Sequence, residues 1–182
     1  MDCGDMSPLS KRGHICAVQM KIAVMKTKKN WREKLVDDKG LPKICEVTGK
    51  LTKRWGTGRF VIPAPREVDA LMNQVPRGRV VTINELRAAL AKKHGTDFAC
   101  PLTTGIFSWI AAHAAAEAGA AGAKRITPYW RTLKTGGEIN PKYPGGVEGA
   151  AKRLRAEGHK IVTKGKRTLV TDHEKKLFTH LN

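Results

Sequence analysis

Two aromatic residues stand side by side in Pro128-Tyr129-Trp130-Arg131, between a rigid proline and a guanidinium. A tyrosine phenol ionises near ~10, so at neutral pH Tyr129 offers an uncharged ring and a hydroxyl, not a nucleophile. Further on, Tyr143-Pro144-Gly145-Gly146 has the composition of a turn, and Glu157 brings a carboxylate within Arg155-Ala156-Glu157-Gly158-His159. Aromatic faces of this kind stack on nucleobases for about 1–3 kcal/mol each. Spacing alone also suits core aromatics, which are the commoner object. A covalent nucleophile is harder to find. Cys3, Cys16, Cys45 and Cys100 lie far apart, with no Cys-x-x-Cys pair and no histidine cluster, which speaks against a zinc site or a disulfide framework and fits a reducing cytoplasm. Cys100 precedes Pro101 near a predicted helix start, where a thiolate is favoured, yet no partner base is evident. Without a glycine-rich phosphate loop or histidines at ligand spacing, no cofactor and no metal are expected.

The elements that must carry these residues follow from period and punctuation. Basic residues surround Trp31, and two β-leaning runs, 43–48 and 59–62, are separated by Gly49, Gly56 and Gly58. Residues 1–65 are therefore expected to form a basic strand-and-turn extension, its first ~25 residues poorly ordered. Residues 66–182 are expected to form the main domain. Val68, Leu71, Met72 and Val75 fall at helical spacing before Pro76, and Thr82-Ile83-Asn84-Glu85 is a capping box ahead of Leu86, Ala89 and Leu90. A second helix, capped at Thr103 or Thr104, is read from Ile106, Phe107, Ile110, Ala111 and Ala114 at helical spacing. Alanine-rich residues 111–123 read as its tail and a flexible connector. Val147, Ala150, Ala151 and Leu154 predict another helix with Lys152, Arg153 and Arg155 outward; then come a hairpin around Lys164-Gly165 and a last capping box, Thr171 to Glu174. The fold class is mostly α with short β-hairpins. Its helix, turn and second helix are compatible with a winged-helix-like helix-turn-helix, and equally with a plain pair of packed helices.

Over 182 residues, 34 Lys and Arg against 16 Asp and Glu give a net charge of +18, a balance suited to polyanions, nucleic acid first among them. The apolar stretch Ile15 to Val24 is broken by Gln19 and Lys21 and is too short to span a bilayer, so no membrane partner is expected. The expected location is cytoplasmic, with the nucleoid.

Taken in order, Ile126-Thr127-Pro128-Tyr129-Trp130-Arg131, Tyr143-Pro144-Gly145-Gly146-Val147 and Ala156-Glu157-Gly158-His159 resemble the alkylguanine-DNA alkyltransferases, whose Pro-Cys-His-Arg carries the reactive cysteine. The resemblance runs from about Val68 to about Val162. It places Tyr129 at the cysteine and Trp130 at the histidine, so it points to the alkyltransferase-like proteins, which bind alkylated DNA without repairing it and usually carry tryptophan at the cysteine position. What it implies is a lesion pocket of Pro128, Tyr129, Trp130, Arg131, Tyr143, Gly145 and Gly146, with Glu157, which in the family orients the histidine, left structural. It also implies a DNA face. Thr82, Ile83 and Asn84 begin the first DNA-facing helix, with Ile83 where the family has a tyrosine that rotates the target nucleotide. Leu102, Thr103, Thr104 and Gly105 begin the recognition helix, with Leu102 in place of an arginine that fills the gap left by the flipped base. Leucine serves there as an apolar wedge or as a core residue. Thr103, Thr104 and Ser108 are candidates for phosphate contacts, the threonines equally for capping, and Lys152 and Arg153 for holding the backbone or simply facing solvent.

The expected function is non-catalytic recognition of damaged bases, alkylated guanine first, by flipping a nucleotide of double-stranded DNA into an aromatic pocket and marking it for a downstream repair protein. The alternatives are a methylated-DNA–cysteine methyltransferase using another cysteine, and general nucleic-acid or ribosome binding without lesion specificity.

Overall fold

The computed structural model of the protein describes residues 29–49 and 52–182. The expectations for the first two dozen residues and for Ile15 to Val24 lie outside the described residues. Local signals start most elements. Asn30 and Glu33 cap each other's amides reciprocally to open α1 (Trp31–Val36). The two β-leaning runs become β1 (Lys43–Glu46) and β2 (Arg59–Ile62), paired antiparallel, with a one-turn helix α2 (Thr52–Trp55) between them. Pro65 sets the first position of α3 (Pro65–Asn73), and the Glu67 carboxylate turns back to accept from the Ala64 amide at 3.0 Å. After β3 (Val81–Thr82) the expected capping box opens α4 (Ile83–His94): Thr82 Oγ1 accepts from the Asn84 amide at 3.2 Å and Glu85 accepts from the Thr82 amide at 2.9 Å. Gly95 ends α4 at φ +60°, the left-handed conformation that a side chain resists.

After β4 (Phe98–Ala99) comes α5 (Pro101–Ala120). Its start corrects the threonine cap: Cys100 is the cap and Pro101 the first helical residue, because proline lacks the amide that the first turn leaves unpaired. Thr104 lies inside the helix with its hydroxyl donated to the Cys100 carbonyl at 2.8 Å. Chain order is completed by β5 (Thr132–Leu133), α6 (Gly146–Ala156) and the hairpin β6 (Ile161–Lys164) with β7 (Arg167–Val170).

The class is mixed α/β, helices dominating. Hairpins are not its whole sheet content, because β2 pairs with β4 and β3 with β5, both parallel and two residues long. The first pairing ties the strands before residue 65 to the segment between α4 and α5. The main core lies between α3, α4 and α5, around Val68, Leu71, Met72, Leu86, Leu90 and Ala111, and it includes Tyr129 and Tyr143. A second cluster seats α6 against the hairpin through Leu154, Leu133, Ile139 and Val170, and a third packs Val47, Phe60 and Cys100 under the β1–β2–β4 sheet.

The alanine-rich stretch is no connector as far as Ala120. Ala111, Ala112, Ala114 and Ala115 are buried, and their small side chains bring α5 close to α3 and α1. The expected last capping box gives no α-helix either; a single 3₁₀ turn, Glu174–Lys176, leads into a tail. Val80 accepts from the Phe178 amide at 2.8 Å and donates to the Lys176 carbonyl at 3.0 Å, so the tail's backbone pairs with the chain before β3, and Leu181 ends buried. Among the described residues, no helix is long and apolar enough to cross a membrane.

Candidate nucleic-acid interface

α5 carries one face that is open over its first turns and meets Trp31 of α1 at Trp109 and His113. Pro101, Leu102, Gly105, Ile106, Trp109 and His113 recur at three- to four-residue intervals along it, and Leu102 is 66% exposed. Two connected hollows open here. The first, a cavity of about 440 Å³, lies between Ile83 at the start of α4, Gly105 and Ser108 of α5, Lys134 after β5, and Asn140 and Tyr143 of the following loop. The second, a groove of about 840 Å³, continues along α5 past Leu102, Ile106, Trp109 and His113 to Lys142. They share Pro101, Gly105, Lys134 and Asn140.

The cavity wall is an aromatic with polar neighbours. Tyr143 is buried, and that burial pushes its phenol above the ordinary tyrosine value, while hydrogen bonding with Ser108 and Asn140 pulls the other way. The phenol stays neutral. Lys134 pairs with Glu138 at 2.6 Å, so the cavity's own cation is spent locally. Along the groove, the Trp109 indole donates to the Lys142 carbonyl at 3.0 Å, which fixes the loop against α5. On the other side, α1 is docked by Glu117, whose carboxylate accepts from the Trp31 and Arg32 amides at 2.9 and 3.2 Å. Trp31 then packs edge-on against Trp109, with centroids 4.6 Å apart, and stacks on His113 at 4.5 Å.

The seven residues expected to form one pocket are divided by this geometry. Only Tyr143 lines the cavity. Tyr129 is 4% exposed and meets Trp130 and Tyr143 edge-to-face, with centroids 5.4 and 6.1 Å away, so it lies between them inside the core. Tyr129 lines none of these hollows, whereas Tyr143 lines the cavity. Pro128, Trp130 and Arg131 line a different depression with Lys124, Arg125 and Arg153, one that shares no residue with the cavity. Gly145 and Gly146, at φ +79° and +60°, form the turn into α6 and are not in the cavity wall.

Glu157 joins these parts. Its carboxylate, 8% exposed, takes the Arg131 guanidinium through both oxygens at 2.9 Å, the Trp130 indole at 2.8 Å and the Gly78 amide at 3.3 Å, while Arg131 also donates to the Val75 carbonyl at 2.7 Å. Burial alone raises its pKa, but the hydrogen bonds from Arg131 and Trp130 prevail and hold it below the usual glutamate value.

Of the other expected contacts, Ile83 and Gly105 line the cavity, and Leu102, Asn84, Lys152 and Arg153 are exposed. Thr82, Thr104 and Ser108 are buried, so Thr104 and Ser108 present no exposed hydroxyl to a phosphate and Thr82, at the start of α4, is not on an exposed face. Thr82 and Thr104 have spent their hydroxyls on helix ends, and Ser108 faces the cavity while donating to the Gly105 carbonyl. Thr103 is half-buried, its Oγ1 enclosed and without a hydrogen-bond partner. Lys134, Asn140 and Trp109 are cavity and groove residues that sequence reasoning missed. Trp109, His113 and Glu117 at intervals of four marked a helix face reserved for something, and that something is α1. The two described thiols, Cys45 and buried Cys100, line neither hollow. No three His, Cys, Asp or Glu side chains among the described residues gather as metal ligands.

No protein-family model matches the chain, and no curated protein matches it. Among solved structures, the chain is similar to Atl1 of S. pombe in complex with damaged DNA containing O6-carboxymethylguanine, at 17% identity and TM-score 0.44, over 63% of this chain and 93% of that one. It is similar as well to S. pombe ATL in complex with DNA, with the same identity and coverage and a TM-score of 0.45.

Proposed function

We propose that the protein binds duplex DNA through the uncovered face of α5 and holds an extruded, damaged base in the cavity beside Tyr143, alkylated guanine being the first candidate, without chemistry on it. One observation carries this reading: a cavity of about 440 Å³ lined by Tyr143 and by polar side chains, Ser108 and Asn140 among them, opens next to an exposed leucine at a helix start. Leu102 is the wedge that fills the gap in the base stack, Tyr143 the ring beside the extruded base, and Ser108 and Asn140 the polar partners. The net charge of +18 supplies attraction to the backbone. The order of motifs around Tyr129 supports the same family of functions, although Tyr129 acts from behind Tyr143. A downstream repair protein that recognises the complex belongs to this proposal.

The test compares affinity for a duplex bearing one O6-alkylguanine with the undamaged duplex. The expected preference falls by about 1–3 kcal/mol, roughly 5- to 150-fold, in Tyr143→Ala, with a parallel loss in Leu102→Ala. Equal affinity of the wild type for both duplexes removes base capture and leaves general nucleic-acid binding, a reading favoured by the burial of Tyr129. The methyltransferase alternative is read on the same samples by intact mass. No alkyl group is expected on the wild type, or on Tyr129→Cys, because Trp130 stands where a base is needed and its indole only donates, already to Glu157.

A further inference from the structure

The depression around Trp130 holds an unused set of charges. Lys124, Arg125 and Arg153 all line it from exposed positions, and no acidic residue does. The carboxylates that form ion pairs among the described residues, Asp37, Asp38, Glu67, Glu138, Glu157 and Asp172, go to other cations. Arg131, the fourth cation of the lining, is committed to Glu157 and to the Val75 carbonyl. Trp130 forms the floor, with the Arg153 guanidinium 4.4 Å above its ring. Three like charges gathered without a counter-charge repel one another, and an anion relieves that repulsion.

The kind of anion follows from the donors. The three cations are long, flexible and solvent-facing, so nothing fixes the geometry of a single small ion. They come from two elements, Lys124 and Arg125 from the segment after α5 and Arg153 from α6, so the charge is spread wider than one small ion needs. Spread positive charge matches a polyanion, and the phosphate backbone of a duplex presents a charge every ~1.7 Å of its axis. We propose that this face is a second DNA-backbone site, which takes the phosphates of another duplex segment while the α5 face holds the first. The two sites have no lining residue in common, which leaves the second free for another segment. The proposal stands apart from base capture, since cations on long side chains read charge and no base.

The experiment saturates a bead-bound duplex with the full-length protein and measures capture of a second, fluorescent duplex. Wild-type protein is expected to capture it. Lys124→Glu/Arg125→Glu is expected to lose that capture while its preference for alkylated over undamaged duplex is unchanged. For the wild type, the slope of log capture against log salt should exceed that of the neutral variant Lys124→Gln/Arg125→Gln by about 1.8, two contacts at about 0.9 each. The neutral variant also decides the matter if the charge-reversed protein does not fold. Capture by either folded variant equal to wild type overturns the proposal. So does wild-type protein that captures poly-glutamate but no second duplex, or capture that appears only when light scattering shows the protein itself pairing. Loss of lesion preference with capture intact counts against the cavity reading alone and supports the separateness of the second site.

Discussion

Glu157 and Arg131 form a largely buried ion pair that several further hydrogen bonds hold in place. The carboxylate accepts from two side chains and one backbone amide, and the guanidinium it neutralises is 14% exposed. Removing one partner of such a pair strands the other charge in the interior, so Glu157→Ala is expected to cost about 3–5 kcal/mol in urea unfolding. Acid should act in the same direction. Glu157 has a folded pKa below its ordinary 4.5, so its contribution is complete above that value and is lost as the pH falls below it. His159, buried with neither ring nitrogen hydrogen-bonded, is held below its ordinary 6.5, chiefly by burial and then by Lys176. The unfolded chain gains that proton first, so stability is expected to decline from about pH 6.5 downward, with a second decline below about pH 4.5, and His159→Gln should remove the earlier one. Sequence made the cluster of Tyr129, Trp130, Arg131 and Glu157 visible as a unit. It did not reveal that Tyr129 faces inward, because burial depends on Tyr143 arriving from a loop 14 positions along the chain.

At the scale of elements, what was legible had a local cause. The capping box at Thr82, the apolar spacing of α3 and α6 and the hairpin β6–β7 are each written within a few consecutive residues. What was not legible depends on distant partners: β4 is two residues long and exists because β2 lies beside it, and the tail is extended because Val80 accepts its amide. Proline also overrode the threonines at the start of α5, a local conflict in which the missing amide prevailed over the side-chain caps. α1 is the plainest case of dependence. Six residues make a helix too short to persist alone, so its order comes from Glu117 and from Trp31 against Trp109 and His113. Glu117→Ala is expected to weaken the docking of α1 by about 2 kcal/mol, seen as faster amide hydrogen exchange at residues 31–36 with exchange in α3 unchanged.

For the whole molecule, charge and shape act together. Exposed cations line both regions, Lys142 in the groove along α5 and Lys124, Arg125 and Arg153 around Trp130. If six to ten phosphates are engaged, affinity for undamaged duplex should fall by about 10³–10⁵ between 50 and 200 mM salt, measured by fluorescence anisotropy. A lesion-bearing duplex should show the same slope, displaced to tighter binding, because an extruded base adds stacking and no charge. The perpendicular contact of Trp31 and Trp109 has an optical consequence. The two indoles have ring centroids 4.6 Å apart and Trp109 also lines the groove, so the near-ultraviolet signal of the pair depends on what occupies it. A base entering the groove beside Trp109 perturbs one chromophore of the pair, so the protein carries an intrinsic, label-free reporter of occupancy.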